Sequence, residues 1–133
     1  MEANTVRTVL LVDDSPEDLR RYELLLRAWG FNVVAVASPE EAMEAITRNA
    51  DIDIVLTNYL MPGMNGIELT HALKQVQGSL RIIILTSGPY QDITPTAIAA
   101  GAQKVLPKGD HRWLNNWLRE ELDFALAVLG LCT

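Results

Sequence analysis

Short, wholly apolar runs alternate with longer amphipathic stretches from Val9 onward. Val9–Val12, Ile54-Val55-Leu56 and Ile82–Leu85 lack polar alternation, the pattern of strands covered on both faces of a parallel sheet. Val33–Ala37 and the brief Val105-Leu106 read as two further strands, and the third continues to Asn58. Helical periods fill the gaps. Leu19, Tyr22, Leu25, Leu26 and Trp29 recur at helical spacing until Gly30 stops the run. Ser15-Pro16-Glu17-Asp18 opens that helix: Ser15 caps, Pro16 suits the first position, and Asp18 completes a capping-box pattern. Ser38-Pro39-Glu40-Glu41 repeats the signal for a second helix through about Arg48. Gly66–Val76 predicts a third, with Ile67, Leu69, Leu73 and Val76 inward. Pro89–Ile93 reads as loop, and Thr94-Pro95 opens a short fourth helix ending at Gly101. Asp110 caps a long last helix reaching about Leu129.

Strands and helices in strict alternation imply one α/β domain, a parallel sheet with helices on both faces. The expected form is a flavodoxin-like three-layer sandwich, its five strands in the order 2-1-3-4-5. In such sheets chemistry gathers at the carboxyl ends of the strands. The residues there are Asp13-Asp14, Asn58, Thr86 and Lys108. Their convergence is the central expectation.

Composition narrows the function. A chain of 133 residues holds a single core, here residues 1–133 as one domain. A net charge of −6 argues against sequence-independent binding to nucleic acid or anionic membrane. The one cysteine, Cys132, excludes an internal disulfide, and no apolar run approaches the ~20 residues of a membrane span. Without a signal-peptide core near Met1, a cytoplasmic setting is expected.

Asp13-Asp14 after the first strand, the stretch Asn58-Tyr59-Leu60-Met61-Pro62 with Gly66 beyond, Thr86 and Lys108 together resemble the receiver domain of bacterial two-component response regulators. The resemblance covers Val9 through Leu118 and implies a signalling module rather than an enzyme. It further implies that Asp13, Asp14, the residue at 58 and the Leu60 carbonyl hold Mg²⁺. Thr86 would contact a phosphoryl oxygen, and Lys108 would pair with the acceptor acid or its phosphoryl group. A sensor histidine kinase or phosphotransfer protein would be the partner. Each residue alone has a plainer reading: a solvated turn acid, a β-branched strand end, a surface lysine. Their joint occurrence is what carries weight.

Asn58 departs from that pattern, because the family has an aspartate there. A neutral amide oxygen is a poor nucleophile at phosphorus and forms no acyl phosphate. The resemblance therefore implies a receiver that cannot be phosphorylated at Asn58 and binds Mg²⁺ more weakly for want of one charge. The alternative is a phosphorylation-independent pseudo-receiver acting as an interaction module. Two smaller departures accompany it. Gly109 follows the lysine where many relatives have proline, and Val105 stands where they have an aromatic switch residue. Asn65-Gly66 reads as a turn dipeptide with no further role.

Asp51-Ile52-Asp53-Ile54-Val55 mimics a haloacid-dehalogenase phosphatase motif, but its acids precede the apolar run and so fall at the wrong end of the sheet. No Gly-rich loop follows the first strand, which removes a dinucleotide-binding reading. In the last helix, Trp113, Leu114, Trp117, Leu118 and Leu122 are expected to cover the sheet. The apolar end, about 124–131, is expected to mediate a homodimer.

Overall fold

The computed structural model describes residues 7–109 and 114–119. Five parallel strands form its sheet: β1 (Thr8–Val12), β2 (Asn32–Val36), β3 (Ile52–Asn58), β4 (Arg81–Thr86) and β5 (Lys104–Pro107), in the order β2-β1-β3-β4-β5. The helices are α1 (Pro16–Ala28), α2 (Pro39–Arg48), α3 (Gly66–Val76) and α4 (Tyr90–Ala100), and residues 114–119 are also helical. The expected fold class and strand order are both found.

Alternate strand residues supply two cores. Val9, Leu11, Ile54, Leu56, Ile83, Leu85 and Leu106 face Tyr22 and Leu26 of α1 together with Leu114 and Leu118. On the opposite face, Leu10, Val12, Val55 and Ile82 meet Ala42 and Ile46 of α2 and Leu69 and Leu73 of α3. Ile84 and Val105 continue that face against Ala97 of α4. Truncating one of these large side chains to Ala costs about 2–5 kcal/mol.

The β1–β3 pairing skips a residue: Thr8 pairs with Ile52 but Val9 with Ile54. The extra residue, Asp53, lets Ile52 face the same core as Val55, and its carboxylate pairs with Arg7. That ion pair lies at the amino-terminal edge of the sheet, opposite the expected site, as the rejection of the phosphatase motif requires.

Three local expectations are corrected. α4 starts at Tyr90, not at Thr94, so Pro95 lies inside it. Pro95 withholds one helix amide, yet Ile93 in the extra turn packs against the Ile84–Val105 cluster, and that burial extends the helix past the proline. Val76 is 53% exposed, while Thr70 takes an inward place in α3 and donates to the Gly66 carbonyl at 2.8 Å. Ser15 caps α1 by accepting from the Asp18 amide, but no capping box closes: the Ser15 amide donates to Asp13 Oδ1 at 2.9 Å. Trp113, Leu122 and the apolar 124–131 end lie outside the described residues.

Candidate functional site

Four of the five strands end in, or are directly followed by, an expected site residue, and the sheet register staggers them. Val12 pairs with Thr57, Asn58 with Leu85, and Thr86 with Pro107. Asp13 and Asn58 thus stand level just past Val12 and Thr57. Thr86 lies one step beyond Leu85, and Lys108 one step beyond Pro107. Parallel strands bring all four to one edge of the sheet.

Asp13 is 2% exposed. A carboxylate that deep requires partners. Oδ1 accepts from the Ser15 amide, and Oδ2 accepts from Lys108 Nζ at 2.8 Å. Lys108 Nζ also donates to Asp18 Oδ2 at 2.7 Å. Burial alone would push the Lys108 pKa down, but the hydrogen bonds and charges of Asp13 and Asp18 outweigh it and hold the ammonium above the usual lysine value. Asp18 is the residue that sequence reasoning missed. It occupies the helix-start position where an acid usually serves the cap, so nothing local signalled a partner 90 residues away.

Tyr22 was missed too. Its hydroxyl accepts from the Gly109 amide at 3.1 Å, a second tie between α1 and the end of β5. Gly109 has φ +92°, a backbone state that other L-residues resist. The chain beyond Lys108 thus turns by a route open to glycine and closed to proline.

Asn58 closes the other half of the edge. Its Nδ2 donates to the Leu60 carbonyl at 2.7 Å and to Asp14 Oδ1 at 3.2 Å. Both partners can only accept, so it is the amide nitrogen that faces them. The Leu60 side chain points outward, 67% exposed, leaving its carbonyl as its contribution to the edge. Gly66 permits this geometry. A Cβ there would come within 2.6 Å of the Asn58 carbonyl oxygen, and the Gly66 amide donates to Tyr59 O at 2.7 Å. Asn65-Gly66 is therefore more than a turn: Asn65 and Glu68 form a complete capping box, and Gly66 seats α3 against the end of β3.

Thr86 is 5% exposed, and its hydroxyl accepts from the Gly88 amide at 3.1 Å. Its carbonyl accepts from the Lys108 amide at 2.8 Å, linking the ends of β4 and β5. Val105 is buried at 4% beside Ile84 and Ala97.

Mg²⁺ prefers oxygen ligands in octahedral geometry. Of the four groups expected to hold it, Asp14 and Leu60 direct oxygens at the Asn58 NH₂, and both Asp13 oxygens are engaged by Lys108 and Ser15. As arranged, these residues do not fit the ion. Among the described residues no group of three or more His, Cys, Asp or Glu is placed to hold a metal.

The arrangement offers Lys108 between two acids and, beside it, the neutral Asn58 amide against the Asp14 carboxylate. It contains no carboxylate at the end of β3. Among the described residues no helix is long and apolar enough to cross a membrane.

Residues 9–116 match the family described as response regulator receiver domain. A two-component response regulator of Oryza sativa subsp. japonica is 38% identical over 114 residues, which cover 77% of this chain and 49% of that protein. A response regulator receiver protein of an Anaeromyxobacter species is 31% identical over 103 residues, covering 77% and 43%. The chain thus spans about half or less of the curated relatives it matches. Among solved structures, a response regulator receiver domain protein from Clostridium thermocellum superposes with a TM-score of 0.84 at 25% identity, covering 92% of this chain and 99% of that one. A LuxR-family two-component response regulator from an Aurantimonas species gives 0.80 at 32% identity, covering 88% and 85%. With the family match running from β1 past β5, and the strand-end residues gathered on one edge, the chain belongs to the response regulator receiver domain family.

Proposed function

We propose that this chain is a receiver module of two-component signalling that carries Asn58 at the phosphoacceptor position and takes no phosphoryl group there. The observation that carries this reading is the placement of Asn58: last residue of β3, beside Asp14 and the Leu60 carbonyl, on the edge where Thr86 ends β4 and Asp13 and Lys108 directly follow β1 and β5. Phosphoryl transfer to a receiver requires a carboxylate nucleophile plus positioning and charge stabilisation. Lys108 and Thr86 can supply the last two. An amide cannot supply the first.

Its partner in this reading is a sensor histidine kinase or phosphotransfer protein, met in the cytoplasm, and the module signals by contact rather than by catalysis. A second reading is favoured by the hydrogen bonding of Asn58. An amide whose two hydrogens are both engaged suits a phosphorylation-independent pseudo-receiver that acts as an interaction module. In either reading Mg²⁺ binds only weakly, because one oxygen of Asp14, the Leu60 carbonyl and both oxygens of Asp13 already accept hydrogen bonds.

The test is intact-protein mass after incubation with acetyl phosphate and Mg²⁺. The chain gains no phosphoryl group, and the Asn58→Asp variant gains one that maps to position 58. Adding Lys108→Ala to that variant slows the gain. Label on the unaltered chain, or none on Asn58→Asp, overturns the assignment of this pocket.

A further inference from the structure

Two oxygens at this edge, from a carboxylate and a backbone carbonyl, would repel each other and attract a cation if left bare. They are not bare. The same nitrogen, Asn58 Nδ2, donates to both, at 2.7 Å to Leu60 O and 3.2 Å to Asp14 Oδ1. The first contact is at the short end of the N–H···O range, and the second has an ionised acceptor, which strengthens it. Asp14 is itself exposed, so burial does not fix its carboxylate, and among the described residues no cation pairs with it. The other acids look elsewhere: Asp13 and Asp18 share Lys108.

We propose that the Asn58 amide is a built-in substitute for the cation, its two N–H groups bridging Asp14 and the Leu60 carbonyl so that the edge is complete without a metal ion. This rests on the reading of Asn58 as the residue at the acceptor position, and it goes further than loss of a charge. A charge-only account holds that Asn58 is a poor ligand. The bridging account holds that Asn58 is a competitor: to bind Mg²⁺ the chain must first break two hydrogen bonds and turn the amide away.

The two accounts part at Asn58→Ala. Alanine removes the amide oxygen as a ligand and also removes the bridge. If Asn58 were merely a weak ligand, Mg²⁺ would bind the alanine variant no better than the unaltered chain. If Asn58 is the bridge, the alanine variant binds more tightly, because Asp14 and Leu60 O are released. The expected order of affinity is Asn58→Asp above Asn58→Ala above the unaltered chain, each step several-fold.

Mg²⁺ titrations of the three proteins, followed by backbone and side-chain amide shifts with no phosphodonor present, give that order directly. The Asn58 side-chain NH₂ signals of the unaltered chain serve as an internal reporter. They are expected to hold their positions through millimolar Mg²⁺. A urea series covers the case of a poorly folded variant. Mg²⁺ should raise the midpoints of Asn58→Ala and Asn58→Asp while leaving that of the unaltered chain in place. Equal or weaker Mg²⁺ binding by Asn58→Ala overturns the proposal, as does an Asn58 NH₂ signal that shifts with the unaltered chain's saturation. Phosphoryl gain by Asn58→Asp is a separate measurement, so failure of the receiver assignment and failure of the bridge are distinguished.

Discussion

Lys108 Nζ lies 2.7 Å from Asp18 Oδ2, so the residue after the last strand is held by the first turn of the first helix. The same ammonium reaches Asp13 at 2.8 Å. One cation thus serves two acids, and removing either acid has a different cost. Asp13 is almost fully enclosed and also accepts from Ser15, so Asp13→Asn is expected to destabilise by about 2–4 kcal/mol. Asp18 is partly solvated, and Asp18→Asn is expected to cost about 0.5–1.5 kcal/mol. Urea unfolding of the two variants side by side checks the order. The reverse order would mean that Lys108 is anchored chiefly from the helix.

The raised pKa of Lys108 sets where this contribution is lost. A group whose pKa is higher folded than unfolded stabilises fully below its ordinary value, here 10.5, and the benefit fades as pH climbs through the folded value. The difference in urea midpoint between the unaltered chain and Lys108→Gln should therefore stay level from pH 8 to about pH 10 and shrink above that. A difference that already shrinks between pH 8 and 9 would contradict the paired arrangement.

Gly66 should tolerate no side chain. The nearest atoms to an added Cβ are backbone, the Asn58 oxygen at 2.6 Å and Tyr59 Cα at 3.0 Å, so relief requires the end of β3 or the start of α3 to move. Gly66→Ala is expected to cost about 1–3 kcal/mol and to shift the Asn58 side-chain amide signals. Gly78→Ala is the control. Its Cβ would make an ordinary contact with Lys74 O at 3.8 Å, and stability should change by no more than about 0.5 kcal/mol.

The apolar sequence at 124–129 supports a fourth expectation. The all-round apolar helix end that the sequence predicts there would, if left in water, forgo ~25 cal/mol for each Å² of apolar area it could bury. The 133-residue chain is expected to self-associate, and a chain ending at Asp123 to be monomeric by light scattering. A 133-residue chain that stays monomeric at high concentration would remove this surface from consideration.

Much of the edge could be read from the chain because a parallel sheet sends every strand's carboxyl end to one side. Knowing that Val12, Asn58, Thr86 and Pro107 end strands was enough to gather Asp13, Asn58, Thr86 and Lys108. The choice of partners was not readable. Asp18 belongs to a helix-start pattern that explains an acid locally, and only the folded chain, which brings the residue after β5 to the first turn of α1, reveals that its carboxylate faces Lys108. Gly66 carries no side chain to pattern, and its constraint is a backbone approach from Asn58. The start of α4 was misplaced because proline normally opens helices, whereas here burial of Ile93 outweighs one lost hydrogen bond.

The tie from α1 to the end of β5 also has a meaning in time. Joining Asp18 to Lys108 closes a loop of almost the whole described chain, and so does joining Tyr22 to Gly109. Loops that long form slowly, after the pairings they enclose. β1, β3 and β4 must already lie side by side before the ammonium finds its second carboxylate. The contact is therefore expected among the last made in folding, once the four-residue β5 has docked. A kinetic experiment would see it as a bond that slows unfolding and leaves the folding rate nearly untouched.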